Sequence, residues 1–440
     1  MTDIFMDCDL IIKGKYVLPI DEKLSVIKDG MVIIDKGKII DLGEKRILAK
    51  KYNGKEIIDA KDSIVMPGLI NTHTHAAMSY FRGLADDLPL KIWLEEYIWP
   101  AEAKFLNPGF IKQSAELACL EMLKSGITCF NDMYFFEEIT ASVAEQFGLR
   151  AVLGEAILNF PTPSCATPAE TINKTLELYQ KFKNSQLIKV ILAPHSIYTC
   201  AGEILKKVKF LADRYNLLIH SHISETKKEV EDSQKKYLKS PIEYLDSLNF
   251  LSDKVIAAHS VWLSGNDLKI YQDRGVKVSH CPMSNMKLAS GVALLPQMIK
   301  RGITVGLGTD SAASNNTLDL FTDMRACALL HKVSNLDPTL VNARQVVKMV
   351  TINGAKVLNW DKEIGSLEVG KQADIITINL DQPHLLPLHD PYSHLVYCVN
   401  SADVENVIIN GRIIMKQREV KNIDEAKIIK QAKRFKISKI

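Results

Sequence analysis

At 440 residues, with 47% hydrophobic and 24% charged side chains, the chain can bury a large barrel-sized core and still carry a satellite domain. A formal net charge of +3, with no basic block interleaved with aromatics, disfavours nucleic acid as a partner. The acidic N-terminus lacks the basic and apolar regions of a secretory signal, and no apolar run approaches the roughly 20 residues that span a bilayer, so no membrane partner is expected.

Residues 1–62 are short apolar runs broken by turn pairs: "DLIIKGKYVLP", "DGMVIIDKGKIIDLG", "KEIIDAKDS". Val, Ile and Lys-Gly turns at this spacing predict a small antiparallel sheet. From 63 to 364 the style changes. Eight apolar runs ("SIVMPGLIN", "GITCFND", "RAVLGEA", "LIKVILAPHS", "LLIHSHIS", "KVIAAHS", "VKVSHCP", "ITVGLGTD") alternate with segments apolar at i, i+3, i+4 and i+7, such as "AGEILKKVKFLADRYN". This predicts an α/β fold, a (β/α)₈ TIM barrel. An open doubly wound sheet competes, but no G-x-G-x-x-G follows the first run. From 365 to 440 β-type runs return, with a hairpin signal in "NGR". The two end pieces are expected to pair into one small β-sandwich domain. The final "KIIKQAKRFKISKI" reads as a solvated helix face or frayed tail. Eight scattered cysteines without a C-x-x-C pair read as free thiols in a reducing cytoplasm.

The histidines carry the chemistry. Of eleven, seven lie at or beside ends of the predicted strands: His73, His75, His195, His220, His222, His259 and His280. Asp310 ends the eighth run. Active sites of such barrels sit at the C-terminal ends of the strands. Residues 73 and 75 point the same way from an extended segment, so both imidazoles can face one ion. Zinc catalysis needs three or four N/O ligands and an open position for water. His73, His75, a histidine of "HSHISE" and Asp310 would supply that set.

The stretches "PGLINTHTH", "HISET", "AAHSVWL", "SHCPMSNMKLASG", "LGTDSAASNN" and "GSLEVGKQADI" together resemble the amidohydrolase superfamily, in its branch of methylthioadenosine/S-adenosylhomocysteine deaminases, related to triazine chlorohydrolases. The resemblance covers essentially the whole chain. It implies His73 and His75 as first-strand ligands, His222 as the fifth-strand ligand and Asp310 as the eighth, with His220 structural. Binuclear relatives carry a carboxylated lysine on the fourth strand; here "LAPHS" puts His195 there, so one divalent metal is implied, Zn²⁺ or Fe²⁺.

By the same resemblance Glu225, three residues after His222, shuttles the water's proton to the ring nitrogen, and His259 orients the attacking water beside Asp310. Glu102 would accept both ribose hydroxyls, His195 would reach the nucleoside, and Trp93 would line the pocket. Ser311 and Asn315 could shape it further. The implied reaction is hydrolytic deamination of an adenine nucleoside, a small-molecule partner, by a chain that could form a homo-oligomer. One departure stands out. Where relatives that handle S-adenosylhomocysteine carry arginines after the third strand, this chain reads "GEAILNFPTPSCATPAE", so methylthioadenosine, 5′-deoxyadenosine or adenosine should be preferred; Arg150 lies too early to serve and should point elsewhere. Two rivals are a related mononuclear enzyme acting on guanine or triazine rings, which should not need Glu102, and a non-catalytic barrel, which should have lost ligands or Glu225.

Overall fold

A computed structural model describes residues 5–437. Its centre is a parallel barrel of eight strands, here numbered β1 (Leu69–Thr74), β2 (Ile127–Tyr134), β3 (Arg150–Ile157), β4 (Ile188–Pro194), β5 (Leu218–Ile223), β6 (Val255–His259), β7 (Lys277–His280) and β8 (Val305–Leu307). Each pairs with the next in order. The ring closes where Thr74 bridges Asp310 in parallel and the Asp310 amide donates to the His73 carbonyl at 3.0 Å. β1, β2, β3, β5 and β6 are buried at every position, as strands covered on both faces must be. Helices between them begin where the sequence supplies caps: Asn107, Thr167 and Thr226 accept from backbone amides, and Ser240 and Ser264 form full capping boxes.

Both ends of the chain enter one mixed eight-stranded sheet, ordered 419–420, 412–416, 404–409, 375–379, 52–67, 6–17, 27–35, 38–44. Its faces are both apolar: Leu10, Ile12, Val32 and Ile34 pack on one side, Ile11, Met31 and Ile33 on the other. The antiparallel expectation for the first zone needs correction, since Met6–Val17 lies parallel to Tyr52–Pro67. The hairpin of Ile27–Asp35 with Lys38–Glu44 and the short helix Lys45–Leu48 supply the crossover that a parallel pair requires. Tyr52–Pro67 feeds straight into β1 through Gly68, where a Cβ would lie 2.2 Å from the Thr128 side chain.

Arg150, the first residue of β3, is buried at the end of the barrel away from the rim. Its guanidinium grips Asp374 by Nε (2.5 Å) and Nη2 (3.0 Å), tying barrel to sheet. It does point elsewhere than the pocket. The C-terminal segment is no frayed tail within the described residues: helix Glu425–Arg434 buries Ile428, and Phe435 packs on Tyr80, Phe110 and Phe105 at 4.8, 5.4 and 5.7 Å between ring centres. The last three residues of that stretch lie outside the described ones. No helix among the described residues is long and apolar enough to cross a membrane.

Candidate active site

Side chains two apart on a strand point the same way, and in a barrel the inward ones stack in layers. His73 and His220 meet in a lower layer; His75 and His222 stand above them at the rim. Gly308 permits the close approach of β8, since a Cβ there would lie 2.7 Å from that of His73. His75 Nε2 is 3.3 Å from His222 Nε2 and 3.3 Å from Asp310 Oδ1, while His73 Nε2 is 3.4 Å from the same oxygen. Two ligands held about 2.1 Å from one tetrahedral ion are themselves about 3.4 Å apart, so these spacings are those of a metal's ligand shell. His73 Nε2 is buried with no hydrogen-bond partner, as a ligand nitrogen would be.

The other ring nitrogens explain why Nε2 is the free one each time. Nδ1 of His75 bonds the Met133 carbonyl (2.5 Å), Nδ1 of His222 the His195 carbonyl (2.9 Å), and Nδ1 of His73 the His220 imidazole (2.7 Å). Such partners fix the tautomer and orient the ring. Burial pushes the pKa of His73 down to about 4 and that of His222 well below the ordinary value, so both present the neutral form that metal binding requires. Burial alone would raise the Asp310 carboxyl, but the imidazoles of His73, His75 and His259 hold it well below the usual carboxylate range. Its Oδ2 accepts from Ser284 Oγ (2.6 Å) and Ser314 Oγ (2.7 Å), and its Oδ1 from the Ser311 amide (2.8 Å). Ser224, His259 and Asp310 take left-handed backbone at φ +52°, +67° and +62°. Non-glycine residues held there cluster at functional sites.

Glu225 is buried, not a solvent-facing helix start. The carboxylate of Glu229 accepts from the amides of Ser224 (2.9 Å) and Glu225 (2.8 Å), which pins this turn. Glu225 Oε2 sits 3.9 Å from His259 Nε2, and His259 Nδ1 is 2.9 Å from Asn285 Oδ1. One pocket is lined by His75, His195, His222, Glu225, His259 and Asp310 at its floor and by Trp93 and Glu102 on its wall. Glu102, on helix Trp99–Phe105, accepts from the Tyr134 hydroxyl at 2.7 Å, and burial pushes its carboxyl up to about 7. Trp93 opens a π-type turn, Trp93–Ile98, a form frequent at functional sites. His195 turns Nδ1 to Thr199 Oγ1 at 3.0 Å, and burial pushes its pKa down to about 3.

Two expectations change. His280 does not face the site but turns outward, its Nε2 3.0 Å from that of His331 on helix Leu320–Asn335. Asn315 is structural, donating to the Thr309 carbonyl and Asp323, whereas Ser311 does line the pocket. Sequence reasoning passed over Ser284, Asn285, Ser314, Tyr134 and Glu229. Ser284 and Asn285 stood in "SHCPMSNMK" and Glu229 four residues beyond Glu225, but hydroxyl and amide partners have no spacing rule comparable to H-x-H.

A closed (β/α)₈ barrel with three convergent imidazoles and a carboxylate at its C-terminal rim defines a metal-dependent hydrolase that uses a divalent ion. The chain belongs to the amidohydrolase family, whose model matches residues 64–414. It is 46% identical over 424 residues to a 5-methylthioadenosine/S-adenosylhomocysteine deaminase of Thermodesulfovibrio yellowstonii, covering 96% of this chain and 97% of that one. It is 45% identical over 426 residues to a 5′-deoxyadenosine deaminase of Methanosarcina mazei, covering 97% of each. A zinc-bound adenosine deaminase from Xanthomonas campestris superposes with a TM-score of 0.96 at 36% identity, covering 98% of both chains.

Proposed function

We propose that the protein hydrolytically deaminates adenine nucleosides with a small 5′ substituent, taking methylthioadenosine and 5′-deoxyadenosine ahead of S-adenosylhomocysteine. The observation that carries this reading is Glu225, a buried carboxyl facing the same pocket as the ligand set and 3.9 Å from His259. The relatives named as deaminases of methylthioadenosine and S-adenosylhomocysteine or of 5′-deoxyadenosine support the deamination, and the order of preference rests on the pocket wall.

His73, His75, His222 and Asp310 would hold the ion, zinc in our reading, with Fe²⁺ the other ion suited to such ligands. When bound, it supplies the Lewis acidity that brings the pKa of a water towards 7. Glu225 takes that water's proton and delivers it to the ring nitrogen, which makes C6 electrophilic. Burial pushes the pKa of Glu225 up, which suits a group that must accept and return a proton near neutrality. His259 turns Nε2 towards the attacking oxygen. Burial opposes its charge, but Glu225, Asp310 and Asn285 outweigh burial and raise its pKa, so it can steady negative charge there. The C–O bond forms, the C6–N bond breaks, and the amino group takes the water's second proton and leaves as ammonia. Glu102 accepts the ribose hydroxyls, and His195 contacts the nucleoside.

The wall beyond Glu102 is apolar: Leu90, Leu94, Trp99, Phe135 and Leu158 line it, without a lysine or arginine among the lining residues. Lys91, Lys227, Lys228, Lys236 and Lys287 border a wider outer recess; four of them pair with Glu95, Glu231, Asp232 and Asp86, and Lys236 lies over the Tyr237 ring. Neither lining contains an arginine, so an amino-acid carboxylate would find no bidentate partner there.

The test is the ultraviolet spectrum of methylthioadenosine, 5′-deoxyadenosine, S-adenosylhomocysteine and guanine, each incubated with metal-analysed protein. An adenine spectrum should become a hypoxanthine one, fastest with the first two. Turnover of guanine alone would overturn the nucleoside reading, and the largest kcat/KM on S-adenosylhomocysteine would overturn the apolar-wall argument.

A further inference from the structure

β7 supplies no ligand, and its terminal histidine faces away from the site. Yet the short helix that follows, Pro282–Lys287, carries two consecutive buried side chains that reach towards the neighbouring strands. Ser284 Oγ donates to Asp310 Oδ2, beyond β8, at 2.6 Å. Asn285 Oδ1 accepts from His259 Nδ1, at the end of β6, at 2.9 Å. Successive helical side chains diverge by about 100°, so one turn placed between two strands can serve both. The turn is itself fixed, because the Asn285 amide donates to the Cys281 carbonyl and the Leu288 amide to the Ser284 carbonyl.

We infer that Ser284 and Asn285 are a pair of positioning residues for the reaction, Ser284 acting through Asp310 and Asn285 through His259. This rests on the reading of Asp310 as a ligand and His259 as the group that faces the water. With Ser314, Ser284 occupies Oδ2 of Asp310. That leaves Oδ1, the oxygen 3.3–3.4 Å from His75 and His73, as the one turned to an ion, and it withholds Oδ2 from proton transfer. Asn285 accepts the Nδ1 proton of His259 in a hydrogen bond, so Nε2 is the nitrogen left to face Glu225 and the attacking oxygen. The carboxamide also sets the plane of the ring. Both contacts are short and buried.

The test uses the metal-loaded full chain, with methylthioadenosine or whichever adenine nucleoside it turns over fastest. Asn285→Leu should lower kcat about 10- to 100-fold, with KM and bound metal within about twofold of wild type. Asn285→Asp, which keeps an acceptor, should recover most of that loss. In a His259→Ala background, Asn285→Leu should cost less than about threefold more. Ser284→Ala should weaken metal retention about 10-fold in competition with a chelator. Additive losses in the His259→Ala background, or an Asn285→Asp as slow as Asn285→Leu, would overturn the role given to Asn285. Unchanged chelator competition in Ser284→Ala would overturn that of Ser284. Should Asn285→Leu fail to fold, Asn285→Asp against Asn285→Ser makes the same comparison. If His259→Ala alone is fully active, the reading of His259 falls, while the chelator arm still judges Ser284.

Discussion

Nδ1 of His73 lies 2.7 Å from Nε2 of His220, with both rings fully buried. One proton must lie between them. If His73 is to offer Nε2 to an ion, that proton belongs to its own Nδ1, and His220 must accept it. With His73 as a ligand, His220 would be what keeps it in the ligating tautomer. Replacing it with leucine should weaken metal affinity about 10- to 100-fold, measured by chelator competition. His220→Gln, with an acceptor oxygen near the same place, should lose less. Equal affinity in wild type and His220→Leu would refute this account.

Glu225→Gln keeps the shape of the side chain and removes its proton traffic. The expected result is a fall in kcat of about 10²–10⁴, with metal content unchanged by atomic absorption. A loss below tenfold would mean that another group carries the proton.

Glu102 should write its own pH dependence into substrate binding. Only the ionised carboxylate can accept two ribose hydroxyls. Burial pushes its pKa up to about 7, against the opposing hydrogen bond from Tyr134. The carboxylate is therefore present above pH 7 and lost as pH falls through that value. KM should rise about tenfold for each unit below 7. A 2′,3′-dideoxy substrate should not show the rise, and Glu102→Gln should abolish it at the expense of affinity at every pH.

Arg150→Met should destabilise the protein without touching the chemistry. It leaves the Asp374 carboxylate buried at the junction of barrel and sheet, with the Asn410 amide (2.8 Å) as its remaining partner among the described residues. Breaking such a pair costs about 3–5 kcal/mol. Urea unfolding should register that loss, while kcat per folded molecule stays at the wild-type value.

The parts of this protein most legible in the sequence are those governed by period and spacing. Eight apolar runs fall on the eight barrel strands, and the two-residue alternation of "HTH" and "HSH" carries through to His73, His75 and His222 on one ion-sized centre. Long-range pairing was harder to see. Met6–Val17 joins Tyr52–Pro67 in parallel because a hairpin and helix intervene, which no local signal announces. His280 ends its strand like the others but is turned outwards by a partner 51 positions away, His331. Phe435 looked like part of a solvated tail until the aromatic surface of Tyr80 and Phe110 was in place to receive it.

The sheet built from both ends also imposes an order on synthesis. Ser63–Pro67 pairs with Ile375–Asn379, which leaves the ribosome about 300 residues later. At 5–20 residues per second the first partner waits about 15–60 s for the second. During that interval the barrel can close, but an apolar strand edge stands open beside it, the kind of edge that recruits other chains. Chains stalled before residue 375 should therefore be cut by protease within the first 67 residues while the barrel segment resists. The nascent protein would be most exposed to aggregation just when its active site is already assembled.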